Sequence, residues 1–146
     1  MTHLLIDTSV LIKWFHADGE GELPEARALR SAHTSGDIDA HMLDLAIYEV
    51  GNVLLRALHW KPTQVADQLD DLRVILGPPL LMTEDWLRYA AHLAHRHSLT
   101  FYDAAWAATA DNLNMTLVSA DLQLLAAGLA ESPATTVARL KLPHEA

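Results

Sequence analysis

The sequence contains no cysteine, which excludes disulfide bonds, thiolate metal sites and a thiol nucleophile. It is also poor in basic residues, because 10 lysines and arginines stand against 19 acidic residues, for a formal net charge of −9. A chain of this charge does not hold nucleic acid by bulk electrostatic attraction, so any nucleic-acid contact has to be local. Some of the carboxylates can instead bind a cation or face a basic partner.

Long apolar runs are missing as well. No segment reaches the roughly 18 apolar residues that suggest a membrane-spanning helix, and residues 1–6 lack the basic region of a secretory signal. We therefore expect a cytoplasmic protein with no membrane span. With 146 residues and 51% hydrophobic content, the chain has apolar material for one core rather than two. We expect residues 1–146 to form a single domain.

Short apolar runs predict strands that are buried on both faces, because they lack the polar alternation of a half-exposed strand. They cover residues 3–6, 80–82 and 115–118, with weaker candidates near Ile38 and over residues 135–138. Segments with helical periodicity separate them, over residues 9–15, 24–33, 43–58, 62–76, 84–96, 102–113 and 122–127. This alternation predicts an α/β fold, with three α/β/α layers around a mainly parallel sheet of four to five strands.

Two acidic residues follow predicted strands. Asp7 comes directly after the first strand, and Asp121 comes after residues 115–118 and a short turn that contains Ser119. Open α/β sheets place their ligands at the carboxyl ends of parallel strands. Each aspartate can equally be an N-cap that accepts hydrogen bonds from the free amides of the next helix. Both interpretations stay open, and the Ser119 hydroxyl can orient a carboxylate or hold a water molecule.

Two further acids lie on predicted helices. At about 100° per residue, Glu49 falls beside Val53 at the edge of an apolar stripe, so it should point along a surface crease. An exposed, ion-paired glutamate is the more common explanation for such a residue. Asp103 lies in the first turn of its helix, at capping-box spacing from Thr100, so a structural role alone explains it. Capping still leaves carboxylate lone pairs free.

If these four acids converge, their mutual repulsion raises at least one pKa, and a bound divalent cation reverses the effect. Oxygen ligands without cysteine or clustered histidine favour a hard ion such as Mg²⁺ or Mn²⁺, which also binds substrate phosphate. The chemistry that this set of residues predicts is hydrolysis of a phosphodiester bond.

Four motifs occur in order along the chain. They are Ile6-Asp7-Thr8-Ser9, Tyr48-Glu49-Val50-Gly51-Asn52-Val53-Leu54, Tyr102-Asp103-Ala104-Ala105 and Ser119-Ala120-Asp121. In order, spacing and total length this set resembles the PIN-domain ribonucleases, and more narrowly the VapC-type toxins of bacterial toxin–antitoxin pairs. The resemblance covers nearly the whole chain.

The resemblance implies an endoribonuclease that needs Mg²⁺ or Mn²⁺ and cleaves structured RNA such as tRNA or ribosomal RNA. The residues that it assigns to metal binding and catalysis are Asp7, Glu49, Asp103 and Asp121, with hydroxyl helpers at Thr8 or Ser9 and at Ser119. It also implies a PIN-like fold, a homodimer and a cognate antitoxin, whose C-terminal segment lies over the toxin.

Several assignments stay open. Arg56 and Lys13 are candidates for contact with RNA phosphates, although ordinary surface solvation also explains them. The four tryptophans predict core or interface positions. A phosphatase with Asp7 as nucleophile is one rival, weakened because Ser9 stands where such enzymes carry a second aspartate. A catalytically silent PIN-like module that binds RNA or protein is the other, and the presence of all four acids argues against it.

Overall fold

The structure is a computed structural model that describes residues 1–144. Three parallel strands form a sheet in the order β2-β1-β3, with β1 at His3–Ile6, β2 at Asp39–His41 and β3 at Thr116–Val118. The register sets the first residue of β1 opposite the first residue of β2, and Ile6 opposite Val118. All strands therefore end on the same side of the molecule.

The sheet is smaller than the four to five strands predicted, because the described residues contain three strands and two isolated parallel bridges. One bridge joins Leu80 to Leu43, and the other joins Glu131 to Val118. The strand predicted over residues 80–82 is thus reduced to Leu80, whose N–H donates to the Met42 carbonyl at 2.9 Å. Pro79 precedes it and has no N–H with which to extend the pairing.

Helices fill the chain between and after the strands. In the described residues they are α1 (Thr8–Leu11), α2 (Leu23–Thr34), α3 (Leu45–Asn52), α4 (Pro62–Leu76), α5 (Glu84–His97), α6 (Phe101–Asn112), α7 (Leu122–Ala126) and α8 (Pro133–Leu140). The seven predicted helices correspond to α1 through α7, so that part of the prediction is confirmed. None of the helices among residues 1–144 is both long and apolar enough to cross a membrane.

Two predicted helices differ from the observed ones in detail. The helix predicted over residues 9–15 is α1 followed by a 3₁₀ turn over Ile12–Trp14. Helix α3 continues as a π-helical turn over Val53–Ala57. The helix predicted over residues 43–58 begins at Leu45, because Leu43 is held in extended form by its bridge to Leu80.

The strand predicted over residues 135–138 is wrong, because this segment belongs to α8. Ser132 caps the helix by accepting from the Thr135 N–H at 3.1 Å, and Pro133 occupies its first turn. Pro133 has the backbone geometry that a first helical turn requires. The β-branched residues that suggested a strand lie on the helix, with Val137 buried in the core.

The core is built around the central strand. Leu4, Leu5 and Ile6 are all 0% exposed, although successive side chains point to opposite faces of the sheet. Both faces are therefore covered, which confirms the α/β prediction of a parallel sheet between helices. Helix α6 packs against β1 and β3, and its alanine-rich buried face allows a close approach to the sheet.

Candidate active site

A cleft of about 550 Å³ opens at the carboxyl ends of β1 and β3. The chain leaves β1 there, and the Asp7 N–H donates to the Val118 carbonyl at 3.1 Å, so the two strand ends are held side by side. The lining of this cleft includes the four acids predicted from the sequence, which are Asp7, Glu49, Asp103 and Asp121. Folding therefore brings together side chains from four separate segments.

Asp7 is the most buried of the four acids, at 4% exposure. It caps α1, and its Oδ1 accepts from the Ser9 N–H at 3.1 Å and from the Ser9 hydroxyl at 2.5 Å. Its Oδ2 accepts from the Ser119 hydroxyl at 2.5 Å. The N-cap and site interpretations are thus compatible, because Asp7 caps its helix and also lines the cleft.

Burial raises the pKa of Asp7 to about 6, since the charged form loses its hydration. Hydrogen bonds from Ser119, Ser9 and the backbone of Val10 oppose this rise, and the negative charge of Glu49 adds to it. The ordinary value is 3.8, so the protein holds this carboxylate at a considerable free-energy cost. Such shifts are common where a carboxyl group has a function.

Glu49 is half-buried and faces the cleft, not open solvent. Its Oε1 accepts from the Thr8 hydroxyl at 2.9 Å and from the Trp106 indole N–H at 3.2 Å. Burial raises the pKa of Glu49, and the charge of Asp103 raises it further against these two donors. The flank of α3 beside Val53, where the sequence places Glu49, is therefore a wall of the cleft.

Asp103 and Asp121 complete the acidic wall. Asp121 caps α7, and its Oδ1 accepts from the backbone N–H groups of Gln123 and Leu124 at 2.9 and 3.0 Å. Asp103 lies in the first turn of α6, where its own N–H donates to the Thr100 hydroxyl at 3.1 Å. Burial raises the pKa of Asp103, and the charge of Asp121 raises it further. The four charges thus interact from neighbour to neighbour.

The predicted hydroxyl helpers all act on acids of the cleft. Ser119 lies two residues before Asp121, and its hydroxyl donates to Asp7 and accepts from the Asp121 N–H at 2.9 Å. The Ser9 hydroxyl similarly accepts from the Ala120 N–H at 2.9 Å while it donates to Asp7. These two serines join the loop after β1 to the loop after β3.

The two basic candidates lie in different places. Lys13 lines the cleft and is 5% exposed, with its Nζ 3.5 Å from the Glu20 carboxylate. Arg56 is exposed on the π-helical turn and is not part of the cleft lining. Surface solvation therefore fits Arg56 but not Lys13.

Sequence reasoning missed two residues of the site. The sequence predicts a core or interface position for Trp106, and this side chain is buried, but its indole N–H also donates to Glu49. Its position three residues after Asp103, on the same helical face, was the available signal. Glu20 lies in a loop of the cleft lining, and nothing in the local sequence indicates its contact with Lys13.

The cleft fits a hard cation by its donor chemistry. The Oε2 atom of Glu49 and the Oδ2 atom of Asp121 accept no hydrogen bond from any of the residues 1–144, so their lone pairs are available. No three of the four acids bring ligand atoms within 4.8 Å of one another in the described chain. Mg²⁺ keeps several waters in protein sites, so an acid that does not contact the ion directly can still hold it through a bound water.

The sequence matches the PIN domain family over residues 4–128. It is 32% identical over 85 residues to the protein named Exonuclease VapC9 of Pyrobaculum aerophilum, a match that covers 58% of this chain and 64% of that protein. It is 29% identical over 125 residues to Ribonuclease VapC3 of the same organism, covering 83% of this chain and 91% of that protein. The VapC9 match thus spans less than two thirds of that protein.

Solved structures share the fold. PAE2754 from Pyrobaculum aerophilum has 26% sequence identity and a TM-score of 0.66, with 96% of this chain and 97% of that chain covered. A chain of a toxin-antitoxin complex from Klebsiella pneumoniae has 20% identity and a TM-score of 0.62, with 89% and 97% covered. At 20% identity, the likeness to the Klebsiella chain shows a shared fold and no more.

The raised pKa of Asp7 predicts how stability depends on pH. In EDTA the folded protein binds more protons than the unfolded chain between about pH 4 and 6, so its free energy of unfolding falls as the pH rises through that window. The loss by pH 7 is about 3 kcal/mol. Urea unfolding from pH 4 to 7 measures the free energy of unfolding of the wild type and of Asp7→Asn. The contribution of Asp7 is the wild-type free energy minus that of the variant at each pH. Asp70→Asn, at an exposed site on α4, serves as the control. If the difference in the free energy of unfolding between the wild type and Asp7→Asn does not vary with pH, the raised pKa of Asp7 is contradicted.

The two donors to Glu49 hold its charged form, which predicts the effect of removing one of them. Thr8→Val deletes the hydroxyl that donates at 2.9 Å, so the pKa of Glu49 should rise above its wild-type value. Titration of the side-chain carboxyl carbons by NMR measures this directly. Trp106→Phe should move the pKa in the same direction, and Thr63→Val, exposed on α4, should leave it unchanged. A fall in the pKa of Glu49 in Thr8→Val counts against the role of this hydroxyl.

Proposed function

The chain belongs to the PIN domain family, and on that premise we propose that it is a metal-dependent endoribonuclease acting as the toxin of a toxin–antitoxin pair. The observation that carries this proposal is the meeting of four carboxylates in one cleft with little local positive charge to balance them. The likeness to Ribonuclease VapC3, which the chain matches over most of its length, supports ribonuclease activity. We take residues 1–146 as one PIN domain, working in the cytoplasm.

The metal ligands in this proposal are the four acids of the cleft, Asp7, Glu49, Asp103 and Asp121. A bound Mg²⁺ or Mn²⁺ would supply Lewis acidity toward a phosphodiester oxygen and would activate a water molecule. Ser9 and Ser119 hold both oxygens of Asp7, and Thr8 together with Trp106 holds one oxygen of Glu49. These contacts fix the acids before any ligand arrives, so little reorganisation is needed on binding.

The substrate we propose is structured RNA, with tRNA or ribosomal RNA as the class to test first. The net charge of −9 argues against binding by a broad basic surface. Contact with the RNA backbone would therefore be local, through the cleft and through a few side chains such as Lys13 at its wall and Arg56 outside it. Phosphate contacts of this kind position the strand without reading its sequence.

The two rival functions fit the site less well. A phosphatase would use Asp7 as a nucleophile, but this carboxylate is 4% exposed and both of its oxygens accept hydrogen bonds from serine hydroxyls. A silent binding module would have no use for Asp7, Glu49 and Asp103, whose pKa values are raised by burial and by a neighbouring acid, since such groups reduce stability. The ribonuclease proposal explains why these groups are present together.

Cleavage of RNA tests the proposal directly. Purified protein is incubated with tRNA and ribosomal RNA in Mg²⁺, in Mn²⁺ and in EDTA, and the fragments are resolved by electrophoresis. We expect cleavage with either ion and none in EDTA. Asp103→Asn should lower the rate by about 100-fold or more, because even outer-shell changes at metal sites cost 10- to 100-fold. This variant is chosen because Asp103, unlike Asp7 and Asp121, is not the N-cap of a helix.

A matched control distinguishes the loss of a cleft carboxylate from the loss of any surface carboxylate. Asp70→Asn removes an exposed aspartate on α4 that does not line the cleft, and this variant should cleave RNA like the wild type. Induced expression of the wild type should also arrest bacterial growth, whereas Asp103→Asn should not. Cleavage by Asp103→Asn at the wild-type rate, or cleavage that persists in EDTA, would overturn the proposal.

We also propose two protein partners, a second copy of this chain and a cognate antitoxin. The similar chain from Klebsiella pneumoniae belongs to a toxin-antitoxin complex, which supports the antitoxin as a partner. An apolar groove of about 360 Å³ supports an interface, because its lining includes the exposed side chains of Tyr48, Leu81, Phe101 and Tyr102. Exposed apolar patches of this kind commonly mark interaction sites.

Self-association through this groove can be tested on the isolated protein. Leu81 is 69% exposed, so Leu81→Asp should leave the fold intact and convert a dimer into a monomer, because a buried unpaired charge is unfavourable at an interface. Size-exclusion chromatography with light scattering measures the molar mass. Val74→Asp is the control, since Val74 is 83% exposed and lies outside the groove. A wild-type monomer, or an unchanged dimer in Leu81→Asp, counts against this interface.

A further inference from the structure

Three metal-ligating side chains meet on β1 and β2, and none of them lines the acidic cleft. The Nδ1 atom of His3 lies 3.3 Å from the Nε2 atom of His41 and 3.2 Å from Asp39 Oδ2. The remaining pair, His41 Nε2 and Asp39 Oδ2, is 3.4 Å apart. The three atoms form a nearly equilateral triangle, and they make the one group of three or more such ligands within 4.8 Å found among residues 1–144.

The strand register accounts for this meeting. His3 and Asp39 are the first residues of β1 and β2 and stand opposite each other in the parallel pair. His41 follows Asp39 by two residues, so both side chains point to the same face of the sheet. The three ligands are therefore carried by the backbone of two paired strands and not by flexible loops.

Hydrogen bonds among the three atoms cannot satisfy all three edges of the triangle at once. Each ring nitrogen either donates its one proton or accepts into its one lone pair, so it cannot make good hydrogen bonds to both of its neighbours. Every assignment of protons leaves at least one edge that joins two acceptors or two donors. A cation at the centre resolves this conflict, because all three atoms then donate lone pairs to it.

The distances suit a small transition-metal ion. Zn²⁺ binds nitrogen and oxygen ligands at about 2.0–2.2 Å, which places two ligands of a tetrahedral site about 3.3–3.5 Å apart. The observed edges of 3.2, 3.3 and 3.4 Å are close to this spacing. Imidazole nitrogens favour Zn²⁺ and its neighbours over Mg²⁺, which prefers oxygen.

The side chains have room to adapt. The two imidazole rings are stacked, with centroids 5.5 Å apart and planes at 29°, so each ring has to turn to direct its lone pair at a shared ion. The side chains of His3 and Asp39 are 47% and 41% exposed, which leaves space for that rotation and for a solvent ligand. His33 is not available as a further ligand, because it accepts from the Ala40 N–H and contacts the Ile75 carbonyl.

We propose that His3, Asp39 and His41 form a second metal site, specific for a borderline transition-metal ion such as Zn²⁺ and separate from the acidic cleft. The ion ties the beginning of β1 to β2 and leaves a fourth position open to solvent. Along β1, His3 is four residues from Asp7, or about 13 Å at 3.3 Å per residue. Binding of Zn²⁺ here is independent of RNA cleavage, so this proposal and the ribonuclease proposal fail separately.

Calorimetric titration with Zn²⁺ tests the site. The full chain, without any histidine tag, is stripped with EDTA, freed of chelator and held in excess Mg²⁺ to occupy the acidic cleft. We expect one equivalent of Zn²⁺ to bind and the melting temperature to rise with its concentration, since a ligand of the folded state stabilises it. Long-range ¹⁵N spectra of the imidazole rings should show both histidines shifting upon binding.

Variants decide where the ion lies. His3→Ala removes an exposed ligand and should weaken Zn²⁺ affinity by about 100-fold or more, and Asp39→Asn should also weaken it. His92→Ala, an exposed histidine on α5, is the matched control and should bind like the wild type. Failure of the wild type to bind Zn²⁺, or unchanged affinity in both His3→Ala and Asp39→Asn, would overturn the proposal. So would loss of binding in Asp103→Asn, because the ion would then occupy the acidic cleft.

Discussion

The carboxylate of Asp7 is buried at the junction of two parallel strands, and the arrangement of the cleft depends on how its charge is accommodated. Removing a carboxylate from water is unfavourable unless hydrogen-bond donors replace the lost hydration. Ser9 and Ser119 provide these donors, one for each oxygen. Because the same hydroxyls accept from backbone N–H groups after β3, they also lock the loop after β1 against the loop after β3.

The other three acids lie near this buried group, and the negative charges of neighbouring acids repel one another. Glu49 raises the pKa of Asp7, Asp103 raises that of Glu49, and Asp121 raises that of Asp103. Thr8 and Trp106 partly compensate by donating to Glu49. A site that holds such charges sacrifices stability, which is typical where the charges serve binding or catalysis. A divalent cation is the simplest agent that would turn this repulsion into attraction.

The parallel sheet explains why chemistry-bearing residues gather at both of its ends. Parallel strands begin together and end together, so residues that precede or follow neighbouring strands become neighbours in space. At the carboxyl end this brings Asp7 and Asp121 into one cleft. At the amino end the same register brings His3 and Asp39 face to face. The two clusters differ in ligand type, all oxygen at one end and mainly nitrogen at the other, which separates hard from borderline ions.

The sequence by itself determined most of the local elements and singled out the four acids as candidates, because periodicity, capping residues and strand ends are patterns of neighbouring residues. It overstated the sheet and read residues 135–138 as a strand, since β-branched side chains suit a buried helical face as well. Only the tertiary structure decided that Ser119 donates to Asp7, 112 positions away, that Trp106 donates to Glu49, and that His3 meets His41. These contacts depend on the strand register and on helix packing, which are set by burial of the whole core and leave no local pattern to read.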